Sequence, residues 1–173
     1  MKPWNAIAPP VAAAGPKEKD APKARGPKAD TLLADGLAKA RGEGRAVFLA
    51  FGSPICGWCK YLDQYHARPA VAKTLNKHLV FVKVDVVENP GGEELYQKYT
   101  PRQGGVPVWV IQAADGKVLG DSFADGKTNV GFPYEPNELA HYERVLRTAL
   151  PQLTGDELAL LMKELKESGP QKK

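Results

Sequence analysis

The sequence predicts an α/β domain, with a mixed central sheet of about four strands between helical layers and one additional helix at the carboxyl end. Three observations predict it. Apolar runs of strand length recur at 45–51, 79–86 and 106–112; segments of helical period separate them; and the turn "AADG" leads the third run into a fourth short strand, "KVLG".

The first element is "DTLLADGLAKARGEG", in which Leu32, Leu33, Gly36, Leu37 and Ala40 share one helical stripe. Asp30 reads as its cap and the glycines as its end. "RAVFLAF", Arg45 to Phe51, is apolar without interruption, as suits a strand buried on both faces. The period turns helical from Gly57 through "WCKYLDQYHA"; Arg68-Pro69 breaks it, and "PAVAKTLNKH" resumes with Pro69 in its first turn. "LVFVKVDV", Leu79 to Val86, is the second strand, "GGEELYQKY" the next helix and "VPVWVIQ" the third strand. "DSFADGKTNVGFPYEP", Asp121 to Pro136, is a polar, Gly/Pro-broken insertion longer than an ordinary connection, placed to shape partner choice. Two helices follow, "PNELAHYERVLRTAL" and "TGDELALLMKELKES", the latter with Thr154 and Glu157 as a capping box.

The chain thus divides into a linker at 1–30, a domain at 31–150 and a helical extension with tail at 151–173. The linker is rich in proline, alanine and lysine and lacks the apolar surface to offset the entropy of ordering. It reads as a flexible tether whose signal or membrane anchor has been removed, which favours a periplasmic or secreted location over a cytoplasmic one. No stretch approaches the roughly 18 apolar residues of a membrane span. The net charge is +4, but residues 1–30 hold six Lys/Arg against three Asp/Glu and the last three residues add two lysines, leaving 16 basic and 17 acidic residues at 31–170. A nearly neutral folded part argues against nucleic acid as a partner.

Of 173 residues only Cys56 and Cys59 are cysteines, and they stand in "SPICGWCKYL". Two cysteines scattered at random over this length fall three apart in about 1% of cases. As a staple the pair would close a four-residue loop, contributing on the order of 2 kcal/mol in the chain-entropy model, less than a long cross-link. Two chemistries remain: a dithiol that opens and closes, or half of a soft-metal site. A zinc site wants four ligands, and the further candidates, His66, His78 and His141, show no ligand spacing. His66 and His78 read as solvated or capping groups near helix ends, and Tyr61, Tyr65, Tyr96 and Tyr99 as packing residues. At the exit of a strand and the start of a helix, Cys56 faces unsatisfied backbone N–H groups and the positive end of the helix dipole. That placement makes Cys56 the nucleophile and Cys59, one turn further in, the resolving thiol.

Together, "VFLAFGSPICGWCK", "FVKVDVVENPGGEELYQKY" and "GGVPVWVIQAADGKVL" resemble the thioredoxin superfamily, in the manner of exported bacterial thioredoxin-like proteins and the carboxy-terminal domain of DsbD-type reductases. The resemblance implies a thioredoxin fold, a cis peptide at Val106-Pro107 lying against the cysteines, and a role for Lys83 beside them. It implies a monomeric thiol-disulfide oxidoreductase, most naturally a reductase, that needs no cofactor or metal beyond the Cys56–Cys59 disulfide. Its partners would be protein disulfides and an upstream thiol reductant, with Gly57, Trp58 and Val106 touching the substrate. Disulfide oxidation or isomerisation, or handling of a soft metal by the two thiolates, are the alternatives. Two departures stand out: Ala50 occupies the position of the superfamily's buried acid, and Trp58 that of its proline.

Overall fold

The apolar run after the first helix forms β1 (Ala46–Gly52), an inner strand buried on both sides, and the rest of the sheet assembles on it. A computed structural model describes residues 26–100 and 104–170. The expectations for residues 1–25 and 171–173 lie outside the described residues.

The strand order is β2-β1-β3-β4. β2 (Leu79–Asp85) runs parallel to β1, whereas β3 (Val108–Gln112) and β4 (Val118–Asp121) continue the sheet antiparallel. β2 forms one outer edge, and Phe81 and Lys83 on it are exposed. Alternation along β1 sends Phe48 and Ala50 to one face and Val47, Leu49 and Phe51 to the other, so the sheet divides the core in two. One half packs under α1 (Ala29–Glu43) and α4 (Gly92–Tyr99). The other, built around Phe48, Trp109, Ile111 and Leu146, packs under α2 (Gly57–Ala67), α3 (Pro69–Leu75), α5 (Pro136–Ala149) and α6 (Gly155–Ser168).

The stripe expected for α1 faces inward, with Leu33, Gly36 and Ala40 buried. Gly36 is held there by space, because a Cβ at this position would overlap the Val82 side chain. The cap differs from expectation: Lys28, not Asp30, precedes the helix, and Asp30 lies in the first turn where its charge complements the dipole. A tertiary contact sets this start, since the Ala29 N–H donates to the Pro90 carbonyl at 2.9 Å and Asn89 Nδ2 donates to the Pro27 carbonyl at 3.0 Å. The helix thereby takes in Ala29 and Asp30 from the segment read as linker.

Arg68 adopts extended backbone before Pro69, giving the expected break between α2 and α3. Thr154 and Glu157 form the expected capping box, and Glu135 with Glu138 form a second one before α5. The insertion at 121–136 is less loop-like than its composition suggests. It contains a small hairpin, β5 (Phe123–Ala124) with β6 (Thr128–Asn129), and Phe123, Val130 and Phe132 are buried. These scattered apolar residues anchor it to the core on both sides of the sheet.

Candidate active site

β1 ends at Gly52, and a short loop carries the chain to Cys56, the N-cap of α2. Gly52 suits the position, as a Cβ built there would stand 3.3 Å from the Cys59 sulfur. Cys56 and Cys59 are joined in a disulfide with Cα atoms 5.3 Å apart. The Cys59 N–H donates to Cys56 Sγ at 3.1 Å, which is the capping contact that a thiolate at this place would strengthen. Cys56 remains partly accessible and Cys59 is buried.

The Val106-Pro107 peptide is cis, and the Val106 carbonyl oxygen lies 3.3 Å from Cys56 Sγ. The two expected substrate contacts beside the cysteines differ in character. Gly57 opens onto empty space, with no atom within 4 Å of a Cβ built on it, whereas Trp58 stacks on Tyr134 at 5.1 Å and 14° while staying 42% exposed.

Lys83 does not reach toward an acid on its own sheet. Its Cα partner across β1 is Ala50, and its ammonium pairs instead with Asp63, one helical turn beyond Cys59 in α2. The ion pair bridges β2 to the helix bearing the disulfide, over the face where Ala50 leaves no carboxyl group.

His66, expected near solvent, is half-buried, with its ring set among aromatic side chains. Its ring lies 4.9 Å from those of Phe48 and Phe81 and 5.2 Å from Tyr65, and Nε2 is buried without a hydrogen-bond partner. Desolvation, helped by the Lys83 charge, lowers its pKa to about 3. The other two histidines make specific bonds: His78 Nε2 meets Glu157 at 3.3 Å, and His141 Nε2 meets the Asp121 carbonyl at 2.8 Å. Among the described residues no group of three or more His, Cys, Asp or Glu is placed to hold a metal. Tyr65 and Tyr96 are buried, as expected of packing residues, and the Tyr96 hydroxyl also donates to the Gly104 carbonyl on the approach to Pro107.

Sequence reasoning missed Asn129, Phe132, Tyr134 and Asp63 as parts of this region. The available signals were slight: three aromatic residues in an otherwise polar insertion, and an Asp four residues after a cysteine on a helix.

Residues 31–156 match the protein family Thioredox_DsbH, described as a protein of unknown function, DUF255. The chain belongs to that family. Among curated proteins, spermatogenesis-associated protein 20 of Homo sapiens is 33% identical over 102 residues, which is 54% of this chain and 13% of that protein. The chain therefore spans a small part of that relative's length. Its counterpart in Mus musculus is 31% identical over the same extent. Similar solved structures include a disulphide isomerase from Xylella fastidiosa Temecula1, 28% identical, covering 62% of this chain and 77% of that one with a TM-score of 0.48. A DsbH oxidoreductase is 21% identical, covers 77% of this chain and 91% of that one, and gives the same TM-score, 0.48. Family membership and the Cys56–Cys59 pair at the start of α2 place the chain in the thioredoxin superfamily.

Proposed function

We propose that the chain reduces disulfides in protein substrates, with Cys56 as nucleophile and Cys59 as resolving thiol. The observation that carries the reading is the asymmetry of the pair: Cys56 is partly accessible and accepts an N–H bond at a helix start, while Cys59 is buried one turn further in. Backbone donors and the helix dipole favour thiolate at Cys56, and burial disfavours it at Cys59.

The reaction then runs in two exchanges. The Cys56 thiolate attacks one sulfur of the substrate disulfide, forming a mixed disulfide and releasing the other substrate sulfur as thiolate, which takes up a proton from solvent. Cys59 loses its proton and attacks Cys56 Sγ, closing the Cys56–Cys59 disulfide and releasing the second substrate thiol. Two electrons pass to the substrate, and a dithiol reductant upstream returns them to the pair. Val106 and Trp58 border the place where the substrate disulfide must stand. The protein acts as a monomer in the periplasm or outside the cell, a location supported by the tether-like composition of residues 1–30. It uses no cofactor beyond its own disulfide.

Trapping tests the roles. Cys59→Ser retains the attacking thiol and loses the exit, so it should accumulate mixed disulfides with substrate proteins, and Cys56→Ser should accumulate far fewer. Equal trapping by the two variants would reverse or abolish the assignment. Direction is tested by equilibrating the pair with glutathione buffers: a potential well below that of glutathione supports a reductase, and one well above it supports an oxidase.

A further inference from the structure

The insertion at 121–136 sets an aromatic wall beside the reactive disulfide. Phe132 and Tyr134 stack on Trp58, with interplanar angles of 15° and 14°. Tyr61 backs the stack, 5.6 Å from both Trp58 and Phe132. Phe132 is buried and serves as the anchor, while Tyr134 keeps 39% of its surface exposed. Between this wall and the Val106-Pro107 turn lies an open cleft of about 330 Å³, with Glu138 also on its lining.

Wall and turn are tied into one unit. Asn129 Nδ2 donates to the Gly105 carbonyl at 2.9 Å and to the Pro107 carbonyl at 3.0 Å, and Asn129 Oδ1 accepts from the Gly131 N–H at 3.1 Å. The Gly131 carbonyl in turn accepts from Trp109 Nε1 at 2.8 Å in the core. Glu138 Oε2 accepts from the N–H groups of Tyr134 and Glu135, both at 3.1 Å, fixing the backbone under the exposed tyrosine. Such a cleft is shaped before substrate arrives, so a side chain that enters it need not order it.

Disulfide exchange decides what enters. The substrate disulfide must stand beside Cys56 Sγ, next to the Val106 carbonyl, and the chain flanking the attacked cysteine then crosses the adjoining cleft. A side chain there meets aromatic rings, a proline and the carboxylate of Glu138. An aromatic or large aliphatic group gains ring contacts. An acidic one loses hydration and faces a like charge.

We infer that the cleft selects disulfide substrates carrying an aromatic or large aliphatic residue next to the cysteine that Cys56 attacks, with Tyr134 as the side chain that sets this preference. The inference rests on the proposed exchange chemistry. Two peptide disulfides that differ only in Phe or Asp beside the cysteine test it, with hydroxyethyl disulfide as a small probe. The protein should prefer the Phe peptide by about tenfold in kcat/KM, expressed mainly in KM. Tyr134→Ala should bring the two peptides to within about twofold of each other, and Tyr134→Phe should keep the preference because the ring remains. Equal use of both peptides by the parent protein while hydroxyethyl disulfide is reduced overturns the cleft alone. A preference that survives in Tyr134→Ala also overturns it. Failure to reduce either peptide or hydroxyethyl disulfide overturns the exchange chemistry and the cleft with it.

Discussion

Replacing His66 by phenylalanine should remove an acid sensitivity that the fold carries in a half-buried ring. The ring packs against Phe48, Phe81 and Tyr65 with Nε2 buried, and desolvation lowers its pKa from 6.5 to about 3. A base whose folded pKa lies below its unfolded one loses stability to acid: the contribution is complete above about 6.5 and drains away as pH falls toward about 3. At pH 5 the unfolded imidazole is protonated while the buried one is neutral, so the protein forfeits about 2 kcal/mol relative to pH 8. Glu157, held down to about 2 first by its hydrogen bond from Lys77 and then by the Thr154 backbone, loses its contribution only below about 4.5, outside this interval. Any cost of fitting a phenylalanine is the same at both pH values and cancels in the difference. Urea denaturation of the oxidised parent and of His66→Phe at pH 8 and pH 5 measures that difference directly. The variant should gain about 2 kcal/mol on the parent between the two conditions. Parallel loss of stability by the two proteins would show that His66 protonates at its ordinary pKa in the folded state, and the burial argument would fail.

Two glycines of α1 should respond oppositely to alanine. Gly42→Ala meets no neighbouring atom and should stabilise by about 0.5–1 kcal/mol in thermal or urea unfolding, whereas Gly36→Ala collides with Val82 and should destabilise by about 1 kcal/mol despite the same helical gain. Gains at both positions would mean that the contact between α1 and β2 is loose. Brief alkylation of the reduced protein at neutral pH should label Cys56 about tenfold faster than Cys59, read by mass spectrometry of the peptides, and preferential labelling of Cys59 would reverse the assigned roles. Ala50→Asp sets a carboxyl group on the face shared with Lys83 and α2, so single-turnover kinetics at mildly acidic pH should show faster closure of the mixed disulfide by Cys59 with little change in the initial attack. That variant should also lose about 1–3 kcal/mol of stability from burying a polar group, and equal acceleration of both steps would remove Ala50 from any account of Cys59.

The sheet and its helices were legible because each wrote itself locally. An unbroken apolar run such as "VFLAF" suits a strand covered on both faces, and the stripe of Leu33, Gly36 and Ala40 on α1 suits a helix laid over it. The cysteine pair was legible for the same reason, since strand exit and helix start are neighbours in sequence. What stayed hidden depends on distant partners. His66 is polar by composition, and only the approach of Phe81 from β2 and Phe48 from β1 shields its ring. The insertion is polar on average, and only the core's demand for Phe123, Val130 and Phe132 turns it into a wall. Asp63 and Lys83 are 20 residues apart, and the register of β2 against α2 that joins them is written in neither segment.

β2 closes the sheet on one side, and among the described residues no strand pairs with its outer flank. A row of backbone donors and acceptors in that position is a template on which another chain can add itself, the first step toward aggregation. Phe81 is 37% exposed at the same edge and sharpens the hazard. Lys83 lies two residues further along the same face, paired with Asp63 yet still in contact with water. An incoming strand would have to strip solvent from that ammonium and carboxylate, a cost that a charged edge imposes on any would-be partner. The residue that bridges the sheet to the helix bearing the disulfide thus also acts as a gatekeeper against strand addition at this edge.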